Sequence, residues 1–502
     1  MMEYDGRYGT RHRGIWLLGG LMGRLGLLLG IGHWCAAQTL CLTSNTPAVG
    51  FCGAPGYACT VQRSTNLIDW MDVWTTNTPC DGDFAYADGA TDLRAGARTA
   101  YYRVAPKNLS PLLAVPPIIF NTFYTYGVAS AVTSNNVVNC MQESCTNGWV
   151  RAINAVGARL WIWIDDGWQA STRDSNGWFM ADPAKFPSGL STVVSLIHAS
   201  NCLAGIYTSW GQASCMGFPG TDELHANIDM RFFVTNGFDG LKIDDCSEPW
   251  RFWQHAEDAY IHNKVARLNA AVLAAGRPIV LDLNCPGVPP YPWYLPYTAN
   301  IFQLDWGIAG MNDMQPGPLD QIVASASMCQ RTNLTTYDGH PITAPALVSM
   351  IGPGHYPRWS ALTQFAPALA QRAGLIFTVM TPQPIQTDQW HAFELGNGMT
   401  NLALLRIHQD PAGRPGLITY SNNCAEIWVR PLGRSGHTNA VAVVNWGTNA
   451  APLTVAWPTL GLSPGDSVSM VDVFDGTNNG VVTQCSMTVP TNSVYLYRFD
   501  HP

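Results

Sequence analysis

The residues of this chain best suited to do chemistry are carboxylates at the ends of apolar runs. Gly240-Leu241-Lys242-Ile243-Asp244-Asp245-Cys246 alternates, with Leu241 and Ile243 on one face of a strand and Lys242 and Asp244 on the other. An earlier run closes as Trp163-Ile164-Asp165-Asp166-Gly167-Trp168, and a later one as Asp282-Leu283-Asn284. Ile301-Phe302-Gln303-Leu304-Asp305 places Gln303 and Asp305 on one face. A single Asp at such a place is most often a cap or turn former. Four runs ending this way are harder to explain as caps, because unpaired buried carboxylates are costly. The cluster needs cations, protons or a hydroxyl-rich ligand, and Lys242 supplies one cation. Two facing carboxylates suit glycoside hydrolysis, where one attacks the anomeric carbon and the other protonates the leaving oxygen. Metal-assisted hydrolysis is the rival use of clustered Asp residues. No histidine accompanies them, which ranks it lower, so neither a metal nor a cofactor is expected. Phe120, Trp163, Trp168 and Tyr207 are the nearby aromatics suited to stack on a sugar ring.

These runs have a common setting. PPIIFNTF, ARLWIWIDD, LAGIYTS, GLKIDD, PIVLDLN, NIFQLDW, PALVSMIG and LIFTVMT are eight short apolar strands, most with a helical stretch behind them. Helices are expected near 137–156, 188–200, 222–236 and 248–275. Eight buried strands with crossover helices indicate a (β/α)8 TIM barrel, whose catalytic groups sit at the C-terminal ends of the strands. From about residue 416 the pattern changes to strands alone, separated by Gly, Asn, Ser and Pro, which reads as an antiparallel sandwich. Ahead of the barrel, 38–105 reads as a small β module, and the proline-rich 106–115 as a linker. The expected organisation is therefore 1–37 export signal, 38–105 β module, 106–115 linker, 116–415 barrel and 416–502 β domain. Trp70 and Trp74 of the first module are expected to pack in its core rather than form a sugar-binding face.

Composition narrows the partner. Charged residues are 12% of the chain, about half the ordinary share, and the net charge is -8. With 19 Trp and no Lys/Arg runs, the chain suits a neutral, hydroxyl-rich carbohydrate and not a nucleic acid. Arg7, Arg11 and Arg13 precede an apolar run from Ile15 to Ile31 that ends in Cys35-Ala36-Ala37, the pattern of a cleaved export signal. Arg24 interrupts that run, and a start at Met22 instead of Met1 would make it the basic flank. A secreted or periplasmic protein with no membrane segment after cleavage is the expectation. Fourteen cysteines in an exported chain imply disulfides. Cys41, Cys52, Cys59 and Cys80 are candidates to staple the first module, and Cys424 with Cys485 to pair in the last.

From Pro116 onward the chain resembles the α-galactosidase and α-N-acetylgalactosaminidase family, the melibiase-type enzymes. The resemblance rests on PPIIFNTF, WIDDGW, RDSNGWFMADPAKFPSGL, SCMGFPG, GLKIDDC, HQDPAG and EIWVRPL, in that order. It implies a retaining exo-hydrolase, a barrel followed by an antiparallel β domain. By position it makes Asp244 the nucleophile and Lys242 a sugar-binding lysine. Asp165 and Asp166 become the pair that binds hydroxyls on the far side of the ring, and Tyr207 and Phe120 sugar-contacting aromatics. It also implies a Cys215–Cys246 disulfide beside the site. The chain departs from the family where sugar identity is set. Asn284 stands in a Glu or small-residue slot, Gln303 stands in for an Arg, and the late NDPD motif is replaced by HYPRWSAL. Asp305 is the expected acid/base by strand position, with Asp313 behind it. The alternative is a non-catalytic sugar-binding relative.

Overall fold

The structure is a computed structural model. It describes the strands of 39–106, then 117–122, 129–244, 246, parts of 271–284, 301–302, 347–349, 375–377, 400–410, 416–433, 437–491 and 493–501. The residues ahead of 39 lie outside the described set, as do Asp245, Gln303, Asp305 and Asp313. Asn284 is described as a strand position only. Among the described residues, no helix is long and apolar enough to cross a membrane.

Among its described residues the first module has six strands, β1 Thr39–Thr43, β2 Thr46–Cys52, β3 Ala58–Ser64, β4 Met71–Asn77, β5 Asp83–Ala87 and β6 Tyr101–Pro106. They form two antiparallel sheets, β1-β2-β5 and β4-β3-β6. Buried Val61 is packed by Val73, Trp74, Tyr86 and Tyr102. Trp74 stacks on Tyr86 at 5.8 Å and 27°. Trp74 therefore belongs to the packing of this module.

All eight expected barrel strands form. They are β7 Ile118–Asn121, β8 Leu160–Ile164, β9 Leu203–Ser209, β10 Gly240–Asp244, β11 Val280–Asn284, β12 Ile301–Phe302, β13 Leu347–Ser349 and β14 Leu375–Phe377. Neighbours are parallel in the order β12-β11-β10-β9-β8-β7-β14-β13, so the last strand pairs with the first, as a barrel requires. The helices Leu190–Ala199 and Ala226–Thr235 lie where apolar periodicity places them. The single helix expected near 137–156 is two, Ser134–Thr146 and Trp149–Ala155. Asn147-Gly148 breaks it, with Gly148 at φ 78°, a conformation that favours glycine.

Strand alternation sorts the barrel into two layers. Ile118, Phe120, Leu160, Ile162, Ile164, Ala204, Ile206, Leu241 and Ile243 join Val137, Val193, Val194 and Phe233 of the helices in one core. The opposite face fills the bore. Trp161 and Trp163 stack there at 5.6 Å and 18°. Two glycines make room for them. A Cβ on Gly205 would fall inside the Trp163 indole, and one on Gly240 would lie 2.8 Å from Trp161. Above this plug the bore-facing residues turn polar, and the site begins.

The last domain has β15 Leu417–Ser421, β16 Ala425–Leu432, β17 Thr438–Asn445, β18 Ala451–Val455, β19 Val468–Asp472, β20 Asn478–Val482, β21 Cys485–Val489 and β22 Ser493–Asp500. The six-stranded sheet β15-β16-β17-β22-β19-β20 faces the two-stranded β18-β21. Ile427, Val429, Val441, Val443 and Phe499 pack between the two sheets. On the other face Trp428, Ala440, Ala442 and Leu496 join the core that contains Leu404, Leu405 and Ile407 of helix Leu402–His408. The expected Cys424–Cys485 pair does not form; both are free. Cys424 sits exposed before β16, while Cys485 is buried in the core between the sheets.

Candidate active site

Strand register sets the site. Tyr207, Lys242 and Asp282 are level across β9, β10 and β11, and Ser209, Asp244 and Asn284 are level one step higher. Asp165 and Asp166 follow directly on β8. Lys242 and Asp244 share the bore face, as alternation predicts, with Leu241 and Ile243 in the outer core. The backbone carbonyl of Asp244 is held by the Trp210 N–H at 2.6 Å and the Ser209 hydroxyl at 3.1 Å.

The charges are arranged around one ammonium. Lys242 Nζ donates to Asp165 Oδ2 at 3.1 Å and lies 3.8 Å from Asp244 Oδ1. Asp165 Oδ2 also accepts from Asn121 Nδ2 at 2.6 Å, and its Oδ1 accepts from the Asp166 N–H at 2.7 Å. The Asp165 N–H in turn donates to Thr122 Oγ1 at 3.0 Å. Asp165, Lys242 and Asp282 are all buried, whereas the Asp244 side chain is 13% exposed. Among these carboxylates Asp244 thus has the most exposed side chain.

The loop after β9 folds over this cluster. Trp210 bridges Thr221 and Ala213 bridges Pro219, making a short hairpin that brings Cys215 and Met216 back to the rim. The Met216 N–H donates to Asp166 Oδ2 at 2.9 Å. Cys215 is joined to Cys246, with Cα atoms 4.9 Å apart across 31 residues. This ties the loops that follow β9 and β10. Cys215 Sγ and Cys246 Sγ lie 3.7 and 4.0 Å from Asp244 Oδ2.

Burial lifts the Asp166 carboxyl to about 6, helped by the neighbouring Asp165 charge and opposed by hydrogen bonds from Ser214, Met216 and Gly167. Its Oδ1 is buried and has no hydrogen-bond partner among the described residues. A buried acceptor left open at the rim is suited to take a ligand hydroxyl. Tyr207 is raised well above the ordinary phenol by burial and then by Asp244, Asp166 and Asp165. Its hydroxyl lies 3.8 Å from Cys246 Sγ, and Lys242 Nζ sits 5.5 Å from the ring centroid.

Three aromatics expected at the sugar lie elsewhere. Phe120 faces the helices, because Asn121 and not Phe120 takes the bore face of β7. Trp163 is the bore plug, its indole N–H donating to the Ile206 carbonyl at 3.1 Å. Trp168 is fully buried among Phe179, Phe232 and Phe233. Conversely, Asn121, Ser214 and Met216 belong to the site and were not expected. The alternation of PPIIFNTF carried the signal for Asn121, since counting inward from buried Ile119 reaches it. Ser214 and Met216 lie in SCMGFPG, where the resemblance singled out only Cys215. Asp305, Gln303 and Asp313 lie outside the described residues.

The loop after β8 is fixed by a buried ion pair. Arg173 grips Asp229 through two contacts of 2.6 and 2.8 Å, and also donates to the Gly220 carbonyl. That links the β8 loop, the β9 hairpin and helix Ala226–Thr235.

Comparison with known proteins gives two family matches, "Alpha galactosidase A" over 130–303 and "Alpha galactosidase C-terminal beta sandwich domain" over 422–499. Together they span about half of the chain. A probable α-galactosidase of Dictyostelium discoideum is 26% identical over 374 residues, covering 72% of this chain and 85% of that protein. An α-N-acetylgalactosaminidase of Gallus gallus is 27% identical over 347 residues, covering 66% and 79%. The crystal structure of α-galactosidase I from Mortierella vinacea superposes with a TM-score of 0.64 at 20% identity, over 79% of this chain and 99% of that one. That likeness is one of fold.

Proposed function

The chain belongs to the melibiase-type α-galactosidase family of glycoside hydrolases, and from that premise we propose a retaining exo-α-glycosidase with Asp244 as its nucleophile. The observation that carries the assignment is the setting of Asp244. It is the partly exposed carboxylate of a buried cluster, 3.8 Å from a lysine ammonium, with its backbone carbonyl held by two donors.

The mechanism is two-step. Asp244 attacks the anomeric carbon and the leaving oxygen departs as it takes a proton, giving a glycosyl ester. Water then cleaves the ester, surrendering its proton to the same acid/base. Asp305 takes the acid/base role by strand position, with Asp313 behind it. Lys242, 3.8 Å from Asp244, holds the nucleophile ionised by charge proximity. Asp166 Oδ1 accepts a ring hydroxyl, and Asp165, with three protein donors already on it, chiefly fixes the lysine. Tyr207 floors the pocket, and Asn284 and Gln303, by their positions in the sequence at the ends of the fifth and sixth strands, are the residues assigned to the glycone. The Cys215–Cys246 disulfide and a secreted or periplasmic location belong to the same reading. The glycone is galactose or a related sugar. The family and its relatives are hydrolases, and nothing among them favours a non-catalytic sugar binder.

Purified protein assayed on nitrophenyl α-D-galactoside, N-acetyl-α-D-galactosaminide and α-D-glucoside tests this. Turnover of at least one, with the α-anomer of the sugar released first, supports the proposal. No turnover on any of them, or first release of the β-anomer, overturns it. Peptide mapping under non-reducing conditions reads the disulfide; free thiols at both positions would remove it.

A further inference from the structure

We propose that Asn121 is a positioning residue of this site, fixing Asp165 and thereby setting how the Lys242 ammonium is divided between Asp165 and Asp244. The inference rests on the hydrolytic reading above. Asn121 acts through Asp165. Its amide donates to Asp165 Oδ2 at 2.6 Å, and Lys242 donates to the same oxygen at 3.1 Å. The other carboxylate oxygen is taken by the Asp166 N–H. Asn121, Asp165 and Lys242 are 1, 2 and 3% exposed, so water does not replace a donor lost from this cluster.

The consequence follows from competition for one cation. While the amide neutralises part of the charge on Asp165 Oδ2, Lys242 is left within 3.8 Å of Asp244. Without the amide, Asp165 is a buried carboxylate short of one strong donor, and the nearest mobile donor is Lys242. The ammonium then moves toward Asp165 and away from Asp244. A retreat of about 1 Å from 3.8 Å, at an effective dielectric of about 20, weakens the attraction enough to move the acid limb of activity by about 0.7 pH unit. The limb moves upward, because Asp244 loses part of the positive charge that favours its ionised form. Among the described residues, the groups facing Asp244 include Lys242 on its own strand, Tyr207 from β9, Asp165 and Asp166 beyond β8, Asp282 beside Lys242 on β11, and the Cys215–Cys246 disulfide. Asn121 reaches this group through Asp165 Oδ2, the oxygen that Lys242 shares.

The test compares wild type with Asn121→Leu, which keeps the volume and removes the donor. If that variant does not fold, Asn121→Ala is used, which also lacks the donor. The readout is the pH profile of kcat/KM on the nitrophenyl glycoside that wild type hydrolyses. An acid limb raised by about 0.7 pH unit supports the proposal. A lower kcat with the limb unmoved indicates a merely structural role and overturns it. Lack of wild-type turnover would be the failure of the hydrolytic reading, visible before any variant is made. A crystal structure of the same variant decides the inference independently of turnover. Lys242 drawn toward Asp165 and farther from Asp244 supports it, and an unmoved ammonium overturns it.

Discussion

Replacing Asp166 by Asn is expected to make the protein more stable at neutral pH and worse at binding substrate. The carboxyl is raised from 3.8 to about 6, chiefly by burial. An acid whose folded value lies above its unfolded value binds its proton more tightly when folded. Its contribution to stability is therefore fully present below about 4 and is lost as pH rises through about 6. The interval corresponds to about 3 kcal/mol, which the ionised side chain costs the folded protein at pH 7 and above. Asn cannot ionise. Its carbonyl still accepts the Met216 N–H, now 2.9 Å from Asp166 Oδ2. Its NH2 takes the place of Oδ1, the oxygen with no partner among the described residues. Thermal unfolding of wild type and Asp166→Asn at pH 4, 5, 6 and 7.5 reads the difference. The curves should meet near pH 4 and separate as pH rises. At about 2–4 °C per kcal/mol the variant leads by several degrees at pH 7.5. The same change removes a charged acceptor for a sugar hydroxyl, so KM should rise about 10- to 100-fold. Parallel Tm curves, or a variant less stable than wild type at pH 7.5, would refute the argument from burial.

Asp244→Asn should lower turnover by several orders of magnitude with the fold retained by circular dichroism, because an amide cannot form the glycosyl ester. Asp245→Asn should be the milder change, and the reverse order would mean that the nucleophile is misassigned. Asp305→Ala should slow glycosides with poor leaving groups by about 10²- to 10⁴-fold while sparing nitrophenyl glycosides; equal losses on both would remove Asp305 as the acid/base. Gly205→Ala should lower stability by about 1–3 kcal/mol or more through overpacking against Trp163, seen as a drop in Tm; an unchanged Tm would show that the bore is looser than its geometry indicates.

The sequence alone determined the elements and their order. Eight apolar runs and a late block of strands are local patterns, and burial on both faces of a parallel strand leaves the same signature wherever the strand sits. Hence all eight barrel strands fall on the expected segments, and Lys242 and Asp244 share the expected face. The helix expected as one piece broke at Asn147-Gly148, a turn signal that sequence carries but apolar periodicity overrides. Only the tertiary structure decided which aromatics face the bore. Phe120, Trp163 and Trp168 are alike in sequence as aromatics at or just after the ends of apolar runs. One packs on helices, one fills the bore and one joins a phenylalanine cluster, because strand parity and the space left by Gly205 and Gly240 assign their directions. Cys424 and Cys485 were matched by being alone together in one domain, but one sits at an exposed turn and the other inside a core. The division of Lys242 between Asp165 and Asp244, and the grip of Asn121 on Asp165, depend on β7, β8 and β10 standing side by side. Residues 44 and 77 positions apart in the chain meet there, and distances across a barrel are set by its closure and not by spacing along the chain.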